Sequence, residues 1–142
     1  MTGLGLFRAG SAFAFLTGTL HFLGRFAPLP DDPKFAIARD AMQAFSLRIV
    51  GVETDLHAIH ELLDWCFTLF CLFVGVLDWV AARALAASPP ALRAAAAVNA
   101  VGFAALAATA FAFRVVPPAV FFLLSLVCFA AAIFRSADTK SR

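Results

Sequence analysis

Four long apolar segments alternate with shorter polar ones along the chain. They cover approximately residues 4–24, 58–82, 94–114 and 117–135. Each has close to the ~20 residues that a helix needs to cross the roughly 30 Å of bilayer hydrocarbon. Because every backbone polar group needs an internal partner in lipid, helices are the expected form. The pattern therefore predicts four transmembrane helices.

The connections between these segments differ in length. Short turns, AASPPALR and RVVPP, join the second segment to the third and the third to the fourth, and proline at a first helical position suits a helix start. The first link, residues 26–56, is long and polar. Within it, the apolar spacing of FAIARDAMQAFSLRIVG predicts an amphipathic helix at the membrane interface. We therefore expect an all-α integral membrane protein, one domain over 1–142, with a four-helix bundle and one interfacial helix.

Composition supports this class. Hydrophobic residues make up 63% of the chain and charged residues 14%, against about half and a quarter in soluble domains. The net charge of +2, without a basic run or a phosphate-binding loop, excludes a nucleic-acid partner. The three cysteines fall in apolar segments, where we expect small hydrophobes and no disulfide. The first thirty residues could be mistaken for a signal peptide, but the N-terminal region before the apolar run carries only Arg8 and no convincing cleavage site follows, so we expect an uncleaved first helix.

Lysine and arginine near the segment ends predict the orientation. One side holds Arg8, Arg83, Arg93, Arg135, Lys140 and Arg142; the other holds Arg25, Lys34, Arg39, Arg48 and Arg114. This slight bias predicts both termini in the cytoplasm and the first link outside, in a bacterial inner membrane.

Polar side chains form a stripe along the second predicted helix, beginning in ETDLHAIHELLDW. At 100° per residue, one arc of about 100° collects the polar and small residues. Its members are Glu53, His57, His60, Glu61, Asp64, Thr68, Cys71, Gly75 and Asp78, and the opposite arc holds Leu62, Leu69, Phe73, Val76 and Val80. A helix that lines a cavity needs such a pattern.

The first predicted helix has a matching face. Small and polar residues share one side of it: Gly10, Ala14, Thr17, Gly18, His21, Gly24 and Arg25. Small residues allow close helix approach in lipid. In the four-span topology His21 lies at the membrane level of His57 and His60. We expect Asn99 and Arg114 to join them.

These residues predict acid–base chemistry. Ionisable groups inside a bilayer cost about 2.5–3.5 kcal/mol each, so they face the protein interior and usually serve a site. A carboxylate beside an imidazole raises its basicity and selects its tautomer, and His57–Glu61 and His60–Asp64 are pairs four residues apart. The predicted roles are acid or base for His57, His60 and Asp64, orientation for Glu61, and a partner on the second wall for His21. Thr17, Thr68, Asn99 and Arg114 complete the predicted ligand pocket.

The predicted function is an outward-opening pocket for a membrane lipid or lipophilic small molecule, with isomerisation or ring opening on it, or binding without chemistry. No cofactor is required. One alternative is a divalent metal on His57, His60, Glu61 and Glu53, and another is haem between His21 and His57 or His60. A further alternative is a non-catalytic subunit of a larger membrane complex, or a homodimer.

Several of these residues also have simpler structural interpretations. Glu53 and Asp55 are acids near a helix N-terminus, where they are favoured in any case. Asp78, followed by Trp79, is typical of a membrane border, and Arg114 of an interfacial anchor.

The chain resembles an uncharacterised family of small bacterial four-span membrane proteins. The resemblance rests on GTLHFLG in the first segment, DAMQAF in the link, ETDLH before the second and FRVVPPAVFFLLSL opening the fourth. It covers nearly the whole chain and implies a four-helix bundle without an assigned activity. It also implies His21, Asp55 and His57 as motif positions. Members usually continue with a Gly-rich stretch, where this chain has AIHELLDW.

Overall fold

The computed structural model describes residues 2–28 and 31–136, and this part of the chain forms five helices and one β-hairpin. The elements are α1 Gly3–Gly24, α2 Pro33–Ala44, β1 Ser46–Ile49, β2 Val52–Asp55, α3 Leu56–Leu85, α4 Pro89–Ala112 and α5 Val116–Arg135. Lys140 and Arg142, which entered the predicted orientation, lie outside the described residues.

Local capping chemistry explains where the helices begin and end. The Asp32 carboxylate accepts a hydrogen bond from the Lys34 amide at the start of α2, and that of Asp55 accepts one from the Ala58 amide at the start of α3. Such caps satisfy backbone donors that have no partner inside the helix. Proline stands in the first turn of α2, α4 and α5. Helix α4 ends at Ala112, and the positive φ of 59° at Arg114, two residues later, turns the chain away from the helix axis.

Helix α1 packs against both α3 and α5, and α5 packs in addition against α4. Helices α1 and α3 run antiparallel, since Gly18 of α1 lies against Leu72 of α3, while Phe15 of α1 lies against Gly75 of α3. A Cβ at Gly75 would lie 2.7 Å from the Phe15 backbone nitrogen. The two backbones therefore approach more closely than any side chain on Gly75 would permit.

Aromatic rings fill the space between α1, α4 and α5. Phe7 meets Phe129 edge to face with ring centroids 5.2 Å apart, and Phe103 stacks on Phe129 at 5.6 Å. Phe122 contacts both Phe103 and Phe67 of α3. This apolar core closes the bundle on the inner side of α1.

Helices α3, α4 and α5 are long and apolar enough to cross a membrane, which is consistent with an integral membrane protein. Helix α1 has 22 residues but is not among these three. Arg8, His21 and several glycines and hydroxyl residues lower its mean hydropathy. The two-faced pattern predicted for α3 is confirmed from Thr68 onward, because Thr68, Cys71 and Gly75 are buried while the opposite arc is exposed. Toward the N-terminus it is not, since Glu53 lies on β2 and His60 is exposed.

The long first link differs from the prediction. Instead of one amphipathic helix, α2 ends at Ala44 and a hairpin follows, with Ser46 opposite Asp55 and Ile49 opposite Val52. The alternating side chains of LRI and VET favour strands, and Val50-Gly51 forms the turn. None of the residues of α2 is buried.

Candidate functional site

His21, in the last turn of α1, contacts α3 through both ring nitrogens. Its Nδ1 lies 2.8 Å from Thr68 Oγ1, and its Nε2 lies 3.2 Å from Asp64 Oδ1. The ring also meets Phe67 edge to face at 4.8 Å. The side chains of His21 and Asp64 are 31% and 26% exposed. The imidazole is therefore oriented on three sides and still partly accessible.

Arg25, four residues after His21 on the same face of α1, joins the two carboxylates of α3. Its guanidinium donates to Asp64 and to Glu61 through separate nitrogens and lies over the Trp65 ring, 4.5 Å from the centroid. Its side chain is 15% exposed. A planar guanidinium suits such a two-carboxylate bridge.

The Thr68 hydroxyl allows His21 two satisfied protonation states. It has one proton and two acceptors within reach, the Asp64 carbonyl oxygen at 2.9 Å and His21 Nδ1 at 2.8 Å. When the hydroxyl donates to the carbonyl, Nδ1–H donates to Oγ1, Nε2–H donates to Asp64, and the imidazole is cationic. When the hydroxyl donates to Nδ1, Nε2–H still donates to Asp64 and the imidazole is neutral. Rotation of this one hydroxyl group therefore keeps both ring nitrogens of His21 hydrogen-bonded in either form.

A cleft of about 400 Å³ opens beside this group, between α1, α3 and α5. Its polar wall is formed by His21, Arg25, Asp64 and Thr17, and its apolar wall by Leu20, Gly24, Pro117, Pro118 and Phe121. Thr17 is buried and donates to the Phe13 carbonyl at 2.8 Å. Pockets of this size and mixed lining are typical of sites for small amphipathic molecules.

His57 and His60 lie elsewhere. They line a second cleft, of about 700 Å³, between α2 and the start of α3, together with Asp31, Asp32, Pro33, Phe35, Ala36, Ala38, Arg39, Met42 and Glu61. In the described part of the chain neither histidine pairs with a carboxylate. The predicted pairs His57–Glu61 and His60–Asp64 do not form, because Arg25 holds both carboxylates. Glu61 lines this second cleft and also binds Arg25, which lies on the wall of the first.

The remaining predicted site residues are also separated from His21. Asn99 donates to the Ala95 carbonyl and lies beside Asp78, nearer the other end of the bundle. Arg114 is exposed at the α4–α5 turn and does not line the cleft. Asp55 caps α3, and Glu53 lies on β2 opposite Arg48.

A second polar group lies near the opposite end of α3. Arg8 lies over the Trp79 ring at 5.9 Å, and Asp78 lies beside Asn99. Within residues 2–28 and 31–136, Arg8 Nε and Asp78 Oδ2 are buried without a hydrogen-bond partner. Asp78 is half-buried within the protein, and its position at a membrane border stays a prediction.

No three histidine, cysteine, aspartate or glutamate side chains of the described ranges come together as a metal site would require. The metal set predicted as an alternative is divided between elements, with Glu53 on the hairpin and His57 and His60 on α3. The histidines of the haem alternative also lie in different clefts, His21 in the first and His57 and His60 in the second.

Sequence reasoning missed the role of Arg25. It placed Arg25 on the correct face of α1, and the available signal was its position four residues after His21. The apolar wall from Pro117, Pro118 and Phe121 carried no signal, because only the packing of α5 against α1 brings it to the cleft.

Together the fold and this site define a helical protein with three helices able to cross a membrane and a His–Asp–Arg group beside an open cleft. No family model, no curated protein and no solved structure matches the chain. The resemblance to a four-span family therefore stays a prediction.

Proposed function

We propose that this protein is an integral membrane protein that binds a lipophilic molecule in the cleft between α1, α3 and α5. The observation that supports this most is the placement of the His21–Asp64–Arg25 group on the polar wall of a cleft whose other wall is apolar. The apolar body of the ligand lies against Pro117 and Phe121. Its polar group, a carbonyl or hydroxyl, meets the imidazole and guanidinium.

In this proposal α1 is the fourth span. It lies between α3 and α5 along its length, and its polar face is turned toward them, which removes the cost of exposing Arg8 and His21 to lipid. The predicted orientation places both termini in the cytoplasm of a bacterial cell and the cleft on the outer side, with α2 at the interface.

The proposed chemistry is proton transfer. In this step the Thr68 hydroxyl turns from His21 Nδ1 to the Asp64 carbonyl oxygen, and Nδ1 takes a proton from a C–H or O–H of the ligand. Asp64 stabilises the imidazolium through Nε2–H, and the proton then returns from Nδ1 to another position of the ligand. Thr68 and Arg25 act as positioning residues. The net result is an isomerisation or a ring opening, and the two hydrogen-bonded states of His21 support such a step.

Two glycines provide a direct test of the cleft. Gly24 lines it, Gly102 does not, and a Cβ on either would meet nothing within 4 Å. We expect native mass spectrometry of detergent-extracted protein to show a bound lipophilic molecule in the wild type and in Gly102→Phe, and to show none in Gly24→Phe. Equal ligand content in all three proteins, including none, would reject the pocket.

A second experiment tests the chemistry. The extracted ligand is incubated with protein in D₂O, and deuterium incorporation at carbon is followed by mass spectrometry. We expect incorporation with the wild type and a loss of at least a hundredfold in His21→Gln, in keeping with the usual contribution of a general base. If the ligand binds but incorporates no deuterium, the protein binds this molecule without catalysing proton transfer on it.

A further inference from the structure

The β-hairpin has one apolar and one polar face. Cross-strand partners lie on the same side of a sheet, and successive residues alternate. The pairs Leu47–Thr54 and Ile49–Val52 therefore form one face, and Ser46–Asp55 and Arg48–Glu53 form the other. Leu47 and Thr54 are half-buried at the base of the hairpin, whereas Ile49 and Val52 are 49% and 68% exposed. The apolar face thus extends away from the protein to a free tip.

The turn at this tip carries an unexpected residue. Val50 and Gly51 have φ values of 49° and 84°, as a two-residue hairpin turn requires. Asparagine and glycine adopt this left-handed conformation readily, whereas a β-branched residue is strained in it. The Val50 side chain is 98% exposed and contributes no packing inside the protein. Folding alone would favour asparagine here, so the apolar side chain indicates a contact outside the chain.

The position of the hairpin identifies the contact. Helix α3 begins at the residue after β2 and has 30 residues, a length of roughly 45 Å. This exceeds the roughly 30 Å of hydrocarbon. The carboxylates Glu61 and Asp64 in its first turns favour this end for the excess length, in the headgroup layer. The hairpin, roughly 13 Å long, extends from this level. Near the same end, α3 exposes apolar side chains of its own, and Leu62 and Leu63 are 62% and 63% exposed.

We propose that the hairpin tip, Ile49, Val50 and Val52, inserts into the lipid interface beside α3. The charged face, with Arg48 and Glu53, then meets water and headgroups. A two-stranded hairpin is marginally stable in water without a covered apolar face, and lipid supplies that cover. The proposal rests on the membrane location of the protein and not on the ligand proposed for the cleft.

Site-specific fluorescence in lipid vesicles tests this insertion. Single cysteines are introduced at Val50, at Asp40 on α2, and at Val76 on the lipid-facing side of α3. The background carries Cys66→Ala, Cys71→Ala and Cys128→Ala, with retained helix content checked by circular dichroism. Each single-cysteine protein is labelled with an environment-sensitive dye and placed in vesicles of phosphatidylcholine with brominated acyl chains, which quench the dye on contact. We expect strong quenching at residues 50 and 76, at least threefold above that at residue 40, whose side chain is 70% exposed.

The outcomes separate this inference from the membrane location itself. Water-like emission at residue 50 with quenching at residue 76 would overturn the hairpin insertion alone. Water-like emission at both would overturn the hairpin insertion and the membrane location together. A shielded but unquenched label at residue 50 would indicate that protein covers the tip, and would also overturn it. With the label moved to residue 52, Val50→Asn is expected to reduce quenching at least twofold.

Discussion

The two clefts beside the first turns of α3 contain similar residue types in different arrangements. In the cleft between α1, α3 and α5, His21 bonds to Thr68 and Asp64, and Arg25 bridges the carboxylates. In the cleft between α2 and α3, His57 and His60 have no carboxylate partner among the described residues. An imidazole needs a defined partner to act as a directed acid or base. The difference therefore assigns the proposed chemistry to the first cleft.

The close approach of α1 to α3 is what creates the first cleft, so breaking it should have the largest effect. Gly75→Ala places a methyl group 2.7 Å from the Phe15 backbone. We expect a loss of about 1–3 kcal/mol in the free energy of unfolding, measured by denaturation with SDS in mixed micelles. Gly102→Ala, at a helical position with free space, should be neutral or stabilising. Equal effects of the two substitutions would contradict the close packing.

The two carboxylates that Arg25 holds should differ in their contributions. Asp64 bonds to both His21 and Arg25 and is the less exposed of the two, so Asp64→Asn should cost ~1–3 kcal/mol of unfolding free energy. Glu61, 42% exposed, bonds to Arg25 only, so Glu61→Gln should cost less than about 1 kcal/mol. The same SDS titration measures both. A larger loss for Glu61 would place the centre of the ionic group nearer the second cleft.

Exchange of His21 or of His60 for glutamine sharpens the functional assignment. We expect His21→Gln to reduce bound ligand in native mass spectrometry at least tenfold, because the ring forms part of the polar wall of the cleft. His60→Gln, in the second cleft, should leave ligand content within twofold of the wild type. The opposite result would move the ligand to the cleft between α2 and α3 and restore the role predicted for His60.

The cap of α3 should have the smallest effect on the first cleft. Asp55→Ala removes the acceptor for the Ala58 amide and should cost about 1 kcal/mol. We expect faster amide hydrogen exchange in the first turn of α3, which carries His57, and unchanged exchange around His21. Asp32→Ala, which removes the cap of α2, is the matched control and should increase exchange in α2 only.

Much of the fold follows from patterns in the sequence. The apolar segments predicted at 58–82, 94–114 and 117–135 correspond to α3, α4 and α5. The buried face of α3 follows from its polar stripe, because helical periodicity repeats independently of tertiary contacts. The hairpin was not predicted, although alternation around Val50-Gly51 was present, because the helical spacing of residues 35–51 was the longer signal.

The site was only partly predictable. His21, Asp64, Thr17 and Thr68 were placed on the correct faces of their helices. Their bonding partners were not predicted correctly, because a helical arc spans about 100° and contains residues that face different neighbouring elements in the folded protein. Asn99 illustrates this limit, since it lies beside Asp78 and not beside His21.

By itself the sequence determined the apolar helices, their polar faces and the two short turns that join α3, α4 and α5, because these depend on local periodicity and capping. Only the tertiary structure decided that His21 bonds to Asp64 and Thr68, while His57 and His60 face α2. The depth at which α1 packs against α3 sets that choice, and it depends on contacts between residues about forty positions apart.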